Sequence, residues 1–155
     1  MACSQILSGL LRNRNLTFLD LSGNDCSSKS TETTIWSELF KANHTIKTLV
    51  FNHCNLGVLQ TCELVKNFHY NESFRALYLS HNGIEDITLK SLCFTIEEQK
   101  KFLLTKLDIS DNYKISDSVA AGLFTKMAEC QLFKLQHLNL NSLQNLNIES
   151  AEALL

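Results

Sequence analysis

Two patterns of hydrophobic residues alternate along the chain and recur together at nearly constant spacing. The first is seen in Leu16–Asn24, where the order is Leu-x-x-Leu-x-Leu-x-x-Asn. Apolar residues at every second position predict a short β-strand. The second pattern places apolar residues at i, i+1 and i+4, as in Leu92, Cys93 and Ile96. That spacing predicts one side of a helix, so each unit predicts a strand, a turn, a helix and a return loop.

The strand pattern occurs five times, and successive copies start 30, 28, 30 and 31 residues apart. The copies begin at Leu16, Ile46, Phe74, Leu104 and Leu135. The ninth position of each copy, where the chain leaves the strand, is occupied in turn by Asn24, Cys54, Asn82, Asn112 and Leu143. We expect the first four to be structural, because an amide or a thiol can satisfy backbone groups of the turn. Leu143 departs from this pattern. Residues 1–15 are predicted to form the helix of an incomplete repeat.

On these repeats the chain resembles the leucine-rich repeat family, and within it the ribonuclease-inhibitor-like subfamily with long repeats. The resemblance extends from Leu16 to Leu155. It implies an α/β solenoid that is curved, with a parallel sheet on the concave face and helices on the convex face. We expect one domain over residues 1–155, in which stacked repeats bury a common core. Neither end shows a recognisable polar cap, so we expect either that this domain is a segment of a longer protein or that its ends pack on another surface.

Between the core positions of each strand lie residues that should face outward on the concave surface. Aromatic side chains beside separated charges are typical of protein interfaces. We therefore expect this face to contact a protein partner, and an ordinary solvated sheet face is the alternative. The expected contact residues are Phe18, Asp20, Val50, His53, Tyr78, His81, Lys106, Asp108, Asp111 and His137. Tyr78, on the third of five strands, is expected to contribute most.

Composition and charge exclude several other classes. The 14 Lys and Arg against 16 Asp and Glu leave a net charge of −2, so no broad basic field favours nucleic acid or an anionic membrane. No apolar run is long enough to span a membrane, and the amino-terminal residues do not form a signal peptide. The six cysteines include no Cys-x-x-Cys pair. We therefore expect free thiols and a cytoplasmic location, and structural roles for the Asn-x-Ser/Thr triplets at Asn15, Asn43 and Asn71.

Two groups of residues could carry chemistry, and neither is convincing. His53, His81 and Asp111 occupy one repeat position and could hold a metal ion, but their spacing is simply that of the repeat. Ser110 lies between two aspartates without the Gly-x-Ser-x-Gly turn of a hydrolase, and no nucleotide-binding glycine motif is present. We predict no enzyme, metal, cofactor or small-molecule substrate. Trp36 is expected at the edge of the core, packed against the next helix.

The sequence therefore predicts a protein-interaction module within a larger intracellular regulatory or scaffold protein. The resemblance leaves three kinds of function open. Ribonuclease inhibitors block an enzyme, NOD-like receptors sense ligands, and tropomodulin and CARMIL-type proteins regulate actin filaments. A hydrolase inhibitor acting by steric blockade and a ligand-sensing repeat domain of a NOD-like receptor are the alternatives. The identity of the partner is not predicted.

Overall fold

One parallel sheet of five short strands forms one face of the molecule, and the helices pack behind it. The computed structural model describes residues 2–27, 34–99, 101–130 and 132–147. The sheet strands are β1 (Phe18–Asp20), β2 (Thr48–Val50), β3 (Ala76–Tyr78), β5 (Lys106–Asp108) and β7 (His137–Asn139). The helices are α1 (Ala2–Leu10), α2 (Thr34–Ala42), α3 (Gly57–Asn67), α4 (Asp86–Gln99) and α5 (Asp117–Glu129), with a 3₁₀ turn at Phe68–Tyr70. The α/β solenoid expected from the repeats is confirmed.

The strands pair in the order β1-β2-β3-β5-β7, and every pair is parallel. Equivalent repeat positions are register partners: Leu19, Leu49, Leu77, Leu107 and Leu138 form one continuous row. The return loops of the third and fourth repeats add a small second sheet, β4 (Lys101–Phe102) with β6 (Leu132–Phe133), which the sequence does not predict. No helix in the described part of the chain is long and apolar enough to cross a membrane.

A single hydrophobic core runs through all the repeats. The strand residues Leu49 and Leu77 are fully buried, and helix residues such as Leu64 and Leu123 belong to the same core. Fully burying a side chain of this size contributes about 1.5–3 kcal/mol. Because each repeat exposes its apolar face until a neighbour covers it, the core exists only in the stacked array.

Trp36 lies inside this core, so the expectation that it sits at the core edge is wrong. Its side chain is 1% exposed and its ring meets Phe51 edge-on at 5.6 Å. Trp36, Leu39 and Phe40 follow the i, i+3, i+4 spacing, which puts all three on one helix face. The indole Nε1 donates to Gln60 Oε1 at 2.8 Å, so packing against the next helix is confirmed.

The buried asparagines of the turns join neighbouring repeats. Asn82 Nδ2 donates to the carbonyls of Phe51 and Ser80, and its Oδ1 accepts from the N–H groups of Cys54 and Leu56. Asn112 repeats the arrangement one coil further on and accepts from the N–H groups of Asn82 and Ile84. Both side-chain amides therefore hydrogen-bond to backbone groups of a neighbouring coil as well as of their own turn.

The other turn positions reproduce these side-chain hydrogen bonds only in part. Cys54 Sγ donates to the Leu21 carbonyl at 3.0 Å. Asn24 donates to the carbonyls of Leu21 and Ser22, but it is exposed rather than buried. Leu143 fills the equivalent position as a buried apolar residue, and this position therefore contributes packing rather than side-chain hydrogen bonds.

Asparagines also stabilise the return loops, at the opposite ends of the strands. Asn43 and Asn71 are 0% and 2% exposed. Asn43 Nδ2 donates to the Leu10 carbonyl, and Asn71 Nδ2 donates to the Asn43 carbonyl. Their expected structural role is confirmed, and their amides are not accessible for glycosylation in the folded chain. For Asn15, which is exposed, the expectation stays a prediction.

Candidate concave interface

The strands carry their outward-facing residues in rows that cross the sheet. One row is Phe18, Thr48, Ala76, Lys106 and His137, and the next is Asp20, Val50, Tyr78, Asp108 and Asn139. The rows follow from the repeat, because register partners in neighbouring strands lie about 4.8 Å apart. A partner lying on this face would therefore meet side chains from several repeats at once.

Exposure is uneven along these rows. Phe18, on the edge strand β1, is 54% exposed, whereas Val50 is only 8% exposed. Val50 has Asp20 and Tyr78 as register partners on its two sides, and its short side chain is covered between them. The expectation that Val50 offers contact area to a partner is therefore wrong, because its side chain is buried. The larger side chains beside it form the accessible surface.

Four of the expected contact residues meet around one open depression. Tyr78, Lys106, Asp108 and His137 line it, and the space has a volume of about 530 Å³. The remaining lining residues are Leu107, Gln136, Leu138 and Asn139. Gln136 and Asn139 were not among the predicted contacts. Gln136 directly precedes the predicted contact His137 and Asn139 follows two residues after it, and this closeness in sequence could have indicated both. The depression brings together an aromatic ring, a cation and a carboxylate.

Asp108 supports the local structure as well as facing the depression. Its Oδ1 accepts from the backbone N–H and the hydroxyl of Ser110 at 3.0 and 2.6 Å, and its Oδ2 accepts from Asn139 Nδ2 at 3.0 Å. Asp20 accepts in the same way from the Ser22 N–H at 2.8 Å. The hydrogen bonds from Ser22 lower the pKa of Asp20, so this carboxylate is ionised at neutral pH.

The residue before each turn position has an unusual backbone conformation. Gly23 and its four counterparts all have positive φ, between 54° and 75°. The counterparts are His53, His81, Asp111 and Ser142. Glycine adopts this region without strain, and histidine and aspartate are among the side chains that tolerate it better than most. A left-handed backbone conformation at this position lets the chain turn away from the strand. The turn therefore sets the direction in which these side chains leave the backbone.

The two histidines of this row stack on each other. The ring centroids of His53 and His81 are 4.6 Å apart, and Tyr113 approaches His81 at 6.4 Å. Asp111 is engaged separately, because its Oδ2 accepts from the Ser80 hydroxyl at 3.1 Å. Among residues 2–27, 34–99, 101–130 and 132–147, no three His, Cys, Asp or Glu side chains are arranged to hold a metal. Tyr113 is a neighbour that the repeat pattern did not indicate.

Three cysteines meet where the first repeats stack. The buried thiols of Cys3, Cys26 and Cys54 lie close enough to influence one another's pKa. Burial raises the pKa of the Cys54 thiol to about 11. All six cysteines are free thiols. This cluster is part of the core and lies away from the depression at Tyr78.

The convex side offers a second kind of surface. Leu59, Ile87 and Phe94, on α3 and α4, are between 56% and 67% exposed. Lys90, also on α4, is exposed. These residues face solvent on the helices and take no part in the concave depression.

Comparisons with known proteins agree with this architecture. A family model described as Leucine Rich repeat matches residues 12–25 and 70–93. The solved structure of Leiomodin-1 Actin-Binding Site 2 superposes with a TM-score of 0.73 at 12% identity, covering 98% of this chain and 81% of that one. The tropomodulin C-terminal domain from Caenorhabditis elegans gives a TM-score of 0.63 at 12% identity, covering 99% and 89%. No curated protein sequence matches the chain.

Proposed function

We propose that this chain, a leucine-rich repeat protein, is a protein-binding module that contacts its partner through the concave sheet face. The observation that carries the proposal is the depression of about 530 Å³ where Tyr78, Lys106, Asp108 and His137 converge. An aromatic ring flanked by charges near the centre of a rigid face is the composition of a protein-binding hot spot. The six free thiols favour a reducing, cytoplasmic setting.

Binding is a better account of this face than catalysis. Ser110 is 3% exposed, and its hydroxyl donates to Asp108 Oδ1. Among the described residues no histidine bonds to Ser110, so the histidine that takes the serine proton in a Ser-His-Asp arrangement has no counterpart there. An inhibitor acting by blockade of a basic enzyme would be favoured by a uniformly acidic face. The cation Lys106 in the depression does not favour that alternative.

Actin is the first partner to test, because the similar leiomodin-1 structure is that of an actin-binding site. A photo-crosslinking amino acid at position 78 should form a covalent adduct with purified actin if actin is the partner. The same amino acid at position 90, on the exposed side of α4, is the matched control. If actin gives no adduct, the two variants are exposed to cell extract, and any captured protein is purified and tested for stoichiometric binding.

The outcomes separate the two faces. The proposal requires adducts from position 78 and none from position 90, followed by direct binding of the purified partner. Adducts from position 90 alone would place the interface on the helices and contradict the proposal.

A further inference from the structure

Three cations lie on successive repeats at the starting ends of the strands. The Arg75 N–H donates to the Lys47 carbonyl at 2.8 Å, and the Lys106 N–H donates to the Arg75 carbonyl at 3.1 Å. These backbone contacts place the three residues on neighbouring coils. Lys47 and Arg75 occupy the same repeat position, and Lys106 lies one residue further along its strand, as the register partner of Ala76. Lys47 and Lys106 are exposed and Arg75 is half-buried. We call these three residues the basic band.

The cations of the basic band form no ion pair in the described part of the chain. The described ion pairs involve Lys66, Lys114 and Lys126, and no carboxylate of a described residue lies within 4.0 Å of the three band cations. Arg75 Nη1 donates to two backbone carbonyls, of Glu72 and Phe74. Those contacts orient the guanidinium without neutralising it. Three unpaired positive charges on adjacent coils give this end of the sheet a local attraction for an anionic group.

The carboxylates nearest along the strands are engaged elsewhere. Asp20 and Asp108 occur at the opposite ends of β1 and β5 and accept hydrogen bonds from Ser22 and Ser110. The band cations therefore lie where the strands start, together with the exposed Glu72 of the return loop, and the hydrogen-bonded carboxylates of Asp20 and Asp108 lie where the strands end. An acidic partner segment would be attracted to the first rim and repelled by the second.

Compensation of helix dipoles does not account for the basic band. A cation stabilises a helix carboxyl end only within the last turn. Helix α2 ends at Ala42 and α4 ends at Gln99, so Lys47 and Lys106 come well after those turns. The whole chain also has a net charge of −2. Attraction of an anion to this place would therefore be a local property of the band and not of the protein as a whole.

We propose that the basic band receives an acidic segment of the protein partner, which runs across the strands at their starting ends. The adjoining depression beside Tyr78 would receive an apolar side chain of the same segment, because Lys106 belongs to both features. This inference rests on the proposed function, since it names the chemical class of the partner for the same face. It also sets an orientation, because the carboxylates of Asp20 and Asp108 disfavour an acidic segment lying lengthwise along a strand.

The direct test uses a synthetic peptide in which glutamate alternates with alanine around one central phenylalanine. Its binding is followed by backbone amide chemical shifts of the isotope-labelled protein at low salt. We expect perturbations at Lys47, Arg75, Lys106 and Tyr78. The double variant Lys47→Glu, Lys106→Glu should bind at least 10-fold more weakly, because two attractive charges become repulsive. Both side chains are exposed and neither forms an ion pair with another described residue, so the variant should fold.

A matched charge change provides the control. The double variant Lys66→Glu, Lys90→Glu alters the net charge equally on the exposed sides of α3 and α4 and should leave peptide binding unchanged. A second peptide with glutamine in place of glutamate should not bind. Equal binding of the two peptides, equal loss in the two double variants, or no perturbation at the band would overturn the inference.

The result can be separated from failure of the proposed function. Once the natural partner is known, Tyr78→Ala and the Lys47→Glu, Lys106→Glu variant are compared against it. Loss of binding only in Tyr78→Ala would keep the concave interface and reject the acidic segment. If neither variant weakens binding, both proposals fail.

Discussion

Removing the amide of Asn82 tests how the repeats are joined. The side chain is 2% exposed and serves four backbone groups, the carbonyls of Phe51 and Ser80 and the N–H groups of Cys54 and Leu56. A typical hydrogen bond contributes about 0.5–1.5 kcal/mol net, and a buried group left unpaired costs more. Water entering the vacated space would recover part of the loss. We expect Asn82→Ala to lower the free energy of unfolding by about 2–4 kcal/mol.

The chain supplies its own controls for this substitution. Asn24 occupies the equivalent position but is exposed, and among the described residues its side chain bonds only to the Leu21 and Ser22 carbonyls. Asn24→Ala should therefore cost less than about 1 kcal/mol. Asn82→Cys introduces the residue that the preceding repeat uses, Cys54, whose thiol still donates to a carbonyl. Its cost should fall between the other two.

Urea unfolding followed by circular dichroism gives the three free energies. The midpoint should shift while the dependence on urea stays constant, which identifies a change in stability rather than in cooperativity. If Asn82→Ala proves no more costly than Asn24→Ala, the side-chain amide does not join the coils and the account of the turns is wrong.

Two further predictions concern the core and the thiols. Leu79, 1% exposed, cannot accept a charge, so Leu79→Asp should abolish the cooperative unfolding transition, whereas a folded Leu79→Asp protein would contradict the register of the repeats. In the native protein, a thiol reagent at neutral pH should modify the half-buried Cys93 and Cys130 before Cys54, because Cys54 is 0% exposed and has a pKa of about 11. In denaturant, all six cysteines should react without prior reduction. Equal modification rates at Cys54 and Cys93 would contradict the burial of Cys54. Because the pKa of Cys54 is raised above its ordinary value of 9.0, the stability that its protonated thiol contributes is present at neutral pH and should be lost as pH rises from 9 to about 11.

The repeat made most of the fold predictable. Leu49, Leu77 and Leu107 recur at fixed spacing because each must stack on its neighbour, and that constraint is visible in the sequence itself. Trp36 shows the limit of such a pattern. Its place in the core depends on the neighbouring Gln60, which satisfies the indole N–H. No local spacing reports a hydrogen-bond partner from the next repeat.

The sequence predicts which residues of the candidate interface share a row, but not how exposed each side chain is or which charges are hydrogen-bonded. The repeat gives the register of Val50 and Tyr78, yet burial of Val50 depends on the size of the residues beside it. Likewise, the repeat pattern does not distinguish the roles of Lys106 and Asp108. Only the folded chain shows that Asp108 is hydrogen-bonded to Ser110 while Lys106 has no ion-pair partner among the described residues.

The affinity of the Tyr78→Ala variant for the purified partner tests the concave interface most directly. Tyr78 is half-buried beside the depression and outside the hydrophobic core cluster. Truncating a central hot spot costs about 2 kcal/mol or more, which corresponds to roughly 30-fold weaker binding. The account predicts that loss with an unchanged melting temperature, and wild-type affinity for Lys90→Ala. Wild-type affinity of Tyr78→Ala, together with weakened binding after substitution of Leu59 or Phe94, would contradict it and place the interface on the helices.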